Sequence, residues 1–501
     1  MEIRPSLAEF TELARGRRVI TVAARIMADA DTPISIYAHL CGNRPGTFLL
    51  ESVEAGVTAR FSFIGVNTVA TLTSRDGAAT WTGKVPVGMP GSDGGDPLEA
   101  LAQTLADLES SPDHLADAEL PPLTSGFVGY LGYDIVRRLE HLPEEVVDDL
   151  QVPELAMMLV GDMVVYDHKT GAVWLLANAI NYDDTDARVA EAHADAVARV
   201  EEMARRLAEP RAALINHDTG AAPIEPTRQR APEEYHGAVL DAVEQIKAGE
   251  AFQIVVSQRF DLPGGVDAFA IYRRLRRLNP SPYQFLLRCE GFDIVGASPE
   301  ALVTVRDGQA TTHPIAGSRP RGRTAQEDAA LAAELVADEK ERSEHVMLVD
   351  LQRNDLARVC RPGTVTVLDM LQVRRYSHIM HMEASVVGQL AEGQTALSAT
   401  VACFPAGTLS GAPKVSAMTQ IDRLELTRRG VYGGVVGWFN LTGDSDCAIA
   451  IRSALVKPES IHVQAGGGIV ADSDPATEDL ESRNKAAAVI AAVHEARRWN
   501  A

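Results

Sequence analysis

The chain has 501 residues, 46% hydrophobic and only 5% aromatic, with a formal net charge of −22. That length suits one large domain or two to three ordinary ones, and the apolar content fills a sizeable core, which excludes a disordered or fibrous chain. So acidic a chain lacks the basic face a nucleic-acid binder needs, and any anionic substrate would require a locally basic pocket or a bound cation.

The N-terminus, MEIRPSLAEF, has no apolar core of signal-peptide type, and no stretch approaches a membrane span. A soluble, cytoplasmic protein that binds neither membrane nor nucleic acid is therefore expected. Five dispersed cysteines, Cys41, Cys289, Cys360, Cys403 and Cys447, form no C-x-x-C pair and read as reduced core thiols. Residues 59–73 are rich in β-branched and aromatic side chains and predict a pair of strands. Asp96 and Pro97 then cap and open a helix whose buried stripe is Leu98, Leu101, Leu105 and Leu108. A long Ala-, Arg- and Glu-rich helix is predicted over 186–208. Residues 209–232 are rich in Pro, Gly and polar side chains and read as a connector between an N-terminal region, 20–208, and a second region, 233–495. The second region opens on a helix striped by Tyr235, Val239, Val243 and Ile246 and stopped by Gly249. The strand AFQIVVSQRF follows; FDIVGAS, ALVTV, CAIAIRSALV and IHVQAG are further strands, alternating with helices. The expected class is α+β, with large, mostly antiparallel β-sheets flanked by outer helices.

Carboxylates come in two pairs. Glu341 and Glu344, and likewise Glu478 and Glu481, are three residues apart on predicted helices and so share a face. From spacing alone each pair reads first as a solvated acidic face; together they offer oxygen ligands for Mg²⁺. Gly466, Gly467 and Gly468 follow the strand SIHV as a predicted loop, whose backbone N–H groups are able to hold a carboxylate or simply to form a tight turn. Their spacing fits no nucleotide-binding motif. Arg452 ends the strand CAIAIR and suits either bidentate capture of a carboxylate or a surface salt bridge. His378 and His381 lack the second cluster that zinc requires; a single histidine acting as general acid fits better, with a packed core histidine as the alternative. Two loops rich in small and polar residues, 312–322 and 404–414, carry Arg319, Arg321, Arg323, Thr408 and Lys414 and offer a local answer to the charge problem.

Taken together, PIAGSRPRG, DEKERSEHVMLVDL-x-RND, RYSHIMH, FPAGTLSGAPK, RRGVYGG, AIAIRS and QAGGGIVADSDP followed by E-x-x-E-x-x-NKA occur in one order and closely resemble the chorismate-utilising enzyme family. Upstream, NRPGTFLLES and FSFIG resemble the N-terminal part of anthranilate synthase component I, so nearly the whole chain is covered. In sibling aminodeoxychorismate synthases the PI-x-G position holds a lysine that attacks the ring; here it is Ala316, which leaves room for ammonia. A catalytically silent subunit of the same fold is the reading from another class, and the intact glutamates, Arg452 and His381 stand against it.

The resemblance implies that Mg²⁺ is held by Glu344 and Glu481, with Glu341 and Glu478 behind them or acting through water. Chorismate would be held by Gly317, Ser318, Tyr432, Arg452 and Gly466 to Gly468. His381 would help the ring hydroxyl leave as general acid, aided by Thr408, and Glu300 in GASPE is a further acid–base candidate. Addition of ammonia and loss of pyruvate would then give anthranilate, a lyase reaction that opens tryptophan biosynthesis. No cysteine sits in a convincing glutaminase setting, so ammonia is expected from a separate glutamine amidotransferase subunit. Feedback inhibition by L-tryptophan is implied at Ser52, Pro282, Tyr283 and Gln284. The chain departs from the family pattern at Ser318 (usually threonine), Gln284 (usually methionine), Gln352 (usually glycine or alanine) and Glu383, a charge where the pattern is apolar.

Overall fold

The strand Leu155–Asp167 is apolar almost throughout and buried on both faces, as the central strand of a covered sheet must be. One of its edges takes Phe61–Arg75, and the other is shared by Gly126–Leu131 and Ala172–Ile180. The computed structural model describes residues 1–52, 60–115, 120–210, 214–375 and 379–500, the side chains of Ile379 and Asn500 excepted. Residues 59–73 were expected to form two strands. Residues 61–75 instead form one, in which register shifts between Gly65 and Ala70 absorb the irregularity without a turn.

From this centre the sheet runs in two branches. The first passes from Phe61–Arg75 through Thr47–Glu51, Tyr283–Arg288, Asp293–Ser298 and Ser453–Val456 to Ser460–Ile469 and Gln253–Pro263. The second passes from Gly126–Leu131 through Val435–Asn440, Ser445–Ile449, Ala301–Arg306 and Gln309–Thr312 to Ile379–Gln389. That last strand is flanked by Ile315–Pro320 and Thr366–Arg375. All these pairings are antiparallel, and each branch starts on strands that precede 209–232 and continues in strands that follow it.

Two sheet layers face one another across Phe48, Phe63, Met158, Trp174, Phe285 and Trp438, a cluster to which, among the described residues, no α-helix contributes. Helices cover the outer faces. Pro97–Asp107 starts where its sequence predicts, with the Asp96 carboxylate accepting from the N–H groups of Leu98 and Glu99. Val189–Leu207 and Pro232–Lys247 lie within or close to their expected bounds. Among the described residues no helix is long and apolar enough to cross a membrane.

Candidate active site

Residues 447–456, expected as one strand, belong to two, Ser445–Ile449 and Ser453–Val456, separated by Arg452 at φ +51. The break lies where the two branches meet: the first piece pairs with Ala301–Arg306, the second with Asp293–Ser298. It leaves the strand Ser460–Ile469 with its Ser453–Val456 neighbour only as far as Val463. Gly466, Gly467 and Gly468 are therefore strand residues paired to Gln253–Pro263 on one side, a correction to the predicted loop, and their other side is an open edge. The Gly466 N–H meets the Tyr432 hydroxyl, and its carbonyl accepts from Lys485 Nζ at 3.0 Å. By the alternation of an antiparallel ladder the Gly468 N–H points the same way. Arg452 stands at this edge in no ion pair with any described residue, and burial holds its pKa below the ordinary arginine value.

The glutamate pairs converge on the same edge from two helices, Glu339–Ala357 and Pro475–Arg498. A Cβ on Gly467 would stand 2.7 Å from Glu478 Oε2 and 4.0 Å from Glu481 Oε1; one on Gly317 (φ +67) would stand 2.9 Å from Glu341 Oε2. Burial raises the Glu344 pKa, the charges of Glu341 and Glu481 raise it further, and a bond from Gln253 opposes them. Glu478 is likewise raised by burial and by Glu481, against a 2.8 Å bond from Ser473. Glu481 pairs with Lys485 at 2.7 Å. Among the described residues no three His, Cys, Asp or Glu by themselves form a group that could hold a metal ion. Crowded, mutually repelling carboxylates with an open side fit a hard cation that keeps water and takes its remaining oxygens from a substrate.

Glu300, between the strands Asp293–Ser298 and Ala301–Arg306, is buried, and burial raises its pKa to about 7. The Thr408 hydroxyl donates to its Oε1 at 3.1 Å and moderates that shift. Thr408 is thus tied directly to Glu300. The strand pairing sets Ser318 opposite His381, whose Nδ1 lies 3.1 Å from the Gly317 carbonyl. If Nδ1 donates there, Nε2 is the accepting nitrogen of a neutral ring, and burial together with Arg452 lowers the His381 pKa in favour of that neutral form. Ala316 is buried in the same strand, opposite Met382, and Ser318 is exposed. His378 lies outside the described residues.

The basic patches are already answered, which corrects the expectation that they would receive an anion. Arg319 pairs with Glu334, Asp338 and Glu341, Arg321 with Asp328, and Arg323 with Glu327; Lys414 Nζ is 2.9 Å from buried Asp355. Residues 315–320, expected as loop, are a strand. Glu383 is 5% exposed, and its charge is met by Arg374 Nε at 3.1 Å, with His313 Nδ1 at 3.6 Å. Gln352 lies on the Glu339–Ala357 helix with its Oε1 buried and bonded to no described residue. Two residues at the site were not singled out from the sequence, Lys485 and Gln253. Gln253 is a buried amide that bonds Glu344 and lies against Gly468. Its signal is a lone amide at the head of an otherwise apolar run, IVV.

Ser52, Pro282, Tyr283 and Gln284 gather elsewhere. Gln284 pairs with Glu51 across the ladder, which leaves Ser52 opposite Tyr283 one step on, with Pro282 next in the chain. Gln284 Nε2 donates to the Asn279 carbonyl at 3.2 Å, while its buried Oε1 has no partner among the described residues. Three ladder steps of ~4.8 Å, roughly 14 Å, separate this strand from the glycine strand.

The profile of the chorismate binding enzyme family matches residues 47–491. Anthranilate synthase component 1 of Mycolicibacterium smegmatis is 53% identical over 97% of this chain and 93% of that protein. The Mycobacterium tuberculosis protein of the same name is 52% identical over 97% of this chain and 95% of that protein. The crystal structure of anthranilate synthase component I from Streptococcus pneumoniae superposes with a TM-score of 0.76 at 33% identity, covering 93% of this chain and 99% of that one.

Proposed function

The chain belongs to the chorismate-binding enzyme family, as an enzyme of the anthranilate synthase component I type, and we propose that it aminates chorismate with ammonia and eliminates pyruvate to give anthranilate. The observation that carries this reading is one open strand edge on which an arginine in no ion pair with any described residue, two outward N–H groups and four glutamates converge. Chorismate has two carboxylates and a hydroxyl that must leave. Arg452 is placed to grip one carboxylate through its planar fork, with the Gly466 and Gly468 edge and the Tyr432 hydroxyl beside it. Glu344 and Glu481 would hold Mg²⁺, with Glu341 and Glu478 behind them. When bound, that ion neutralises carboxylate charge and draws electron density from the ring.

Glu300 is the acid best suited to the departing hydroxyl. With a pKa near 7 it keeps a proton to give at neutral pH, and Thr408 fixes its orientation. His381 in its neutral form would orient the ring oxygen through Nε2. Ala316 brings no nucleophile, which supports free ammonia as the attacking group, delivered by a separate glutamine amidotransferase subunit. Inhibition by L-tryptophan at Ser52, Pro282, Tyr283 and Gln284 has a structural link to the chemistry. Tyr283 pairs with Ser298, whose hydroxyl accepts from the Glu300 N–H at 3.3 Å.

Assay of the purified chain with chorismate, Mg²⁺ and ammonium, following anthranilate fluorescence and pyruvate, tests the proposal. Equal amounts of both products, abolished by EDTA, are expected. Chorismate consumed without pyruvate would move the chain to a sibling reaction, and turnover of glutamine without a partner would refute the separate amidotransferase.

A further inference from the structure

One buried guanidinium beside the site takes no part in the chemistry described above. Arg429 is 2% exposed, and each of its three nitrogens, Nε, Nη1 and Nη2, donates a hydrogen bond. Nε donates to Glu425 Oε2 at 2.8 Å and Nη2 to Glu425 Oε1 at 2.6 Å. Nη2 also reaches the Val255 carbonyl at 2.8 Å, and Nη1 the Leu409 carbonyl at 2.6 Å. Its guanidinium carbon lies over two rings, 4.5 Å from the Tyr133 centroid and 5.6 Å from that of Tyr432. Glu425 in turn accepts from the Ser257 N–H at 2.9 Å and hydroxyl at 2.7 Å, and that hydroxyl accepts from Gln464 Nε2 at 2.8 Å.

The segments joined in this way carry the site. Leu409 follows Thr408 in the turn Gly407–Leu409, and Tyr432 meets the Gly466 N–H. Val255 is two residues from Gln253, and Gln464 begins the open edge of the glycine strand. These segments are far apart in sequence, and ladder pairing alone does not fix the turn or the ring. A buried ion pair is a poor source of stability, because desolvation cancels most of its Coulomb gain. What such a pair does provide is direction. A planar fork with five N–H donors sets two carbonyls and a carboxylate in one plane and leaves its faces for aromatic rings, which a lysine cannot do.

We infer that Arg429, anchored on Glu425, is a positioning residue that holds the Thr408 turn and the Tyr432 ring in register with the chorismate site. This rests on the reading of Glu300, Thr408 and Tyr432 as site residues. Arg429 touches no substrate; it acts through Thr408 and Tyr432.

The test is a double-mutant cycle of Arg429→Lys and Thr408→Val, read as kcat against pH at saturating chorismate, Mg²⁺ and ammonium, with thermal melts as a fold control. Removing the Thr408 hydroxyl takes away a bond that favours the Glu300 carboxylate, so the alkaline limb moves up in pH and kcat falls. Arg429→Lys should lower kcat by roughly tenfold, about 1.4 kcal/mol, and move the same limb the same way. In the double variant the limb should move no further than in either single variant. A wild-type limb in Arg429→Lys, or effects that simply add, overturns the inference. A Thr408→Val variant with unchanged kcat and limb instead overturns the assignment of Thr408 and Glu300 to the chemistry, a distinguishable failure. Should Arg429→Lys melt far below wild type, Glu425→Gln, which keeps the shape and weakens the anchor, replaces it in the cycle, with the same limb shift expected at smaller size. Additive effects there overturn the inference equally.

Discussion

At the Thr47–Glu51 end of the first branch, Glu51 is buried and fully answered, accepting from the Tyr272 hydroxyl at 2.6 Å and from Arg276 at 2.9 and 3.1 Å. At the glycine strand, three ladder steps beyond Tyr283–Arg288, Arg452 is in no ion pair among the described residues, and Glu344 is crowded by like charges. Both regions are built on the same sheet with the same residue types. One spends its charges on itself and is closed; in the proposed reading the other keeps them for a ligand, at a cost to the fold that a cation and a dianionic substrate would relieve. The basic cluster at Arg319, Arg321 and Arg323 shows why counting charges in sequence misleads. Those arginines are consumed by neighbouring acids, whereas Arg452 is kept apart by a break in the strand.

Substitutions at the two ends should therefore separate activity from stability. Arg452→Ala should cut kcat/KM for chorismate at least ~30-fold, about 2 kcal/mol, with no loss of melting temperature; a lower Tm with normal kinetics would place Arg452 among the structural ion pairs. Gly467→Ala forces a methyl onto the Glu478 carboxylate, and the Mg²⁺ needed for half-maximal rate should rise roughly tenfold, about 1.4 kcal/mol. Unchanged metal dependence would break the link between that strand and the cation. Glu51→Gln loses charge-assisted bonds worth roughly 2 kcal/mol, so Tm should fall while uninhibited turnover stays at wild type.

The pH profile sharpens the contrast. Glu300 is the group whose pKa burial raises to about 7, and as the proposed proton donor it would act only below that value. In the glutamine-driven reaction with a partner subunit, kcat should hold below neutrality and decline as pH rises through about 7, and Glu300→Gln should abolish that limb. The smallest expected effect is at Gln284, where Met removes the buried, unbonded Oε1. Tm should rise slightly, by no more than about 1 kcal/mol of stability, without change in chorismate turnover.

Much of this was legible in the sequence because it is local. The helix of Leu98 and Leu101, its Asp96 cap and the shared faces of Glu341 with Glu344 and of Glu478 with Glu481 follow from a 3.6-residue period and side-chain chemistry within a few positions. The ordered motifs pointed to the family through residue identity alone. Only the tertiary structure decided that Gly466 to Gly468 form a strand edge, that Arg452 interrupts its strand where two branches meet, that Thr408 bonds Glu300, and that Arg374 answers Glu383. The physical reason is range. Burial, ladder partners and charge neutralisation are set by residues far apart in sequence, such as Glu300 and Thr408, and no local period records which of them will meet.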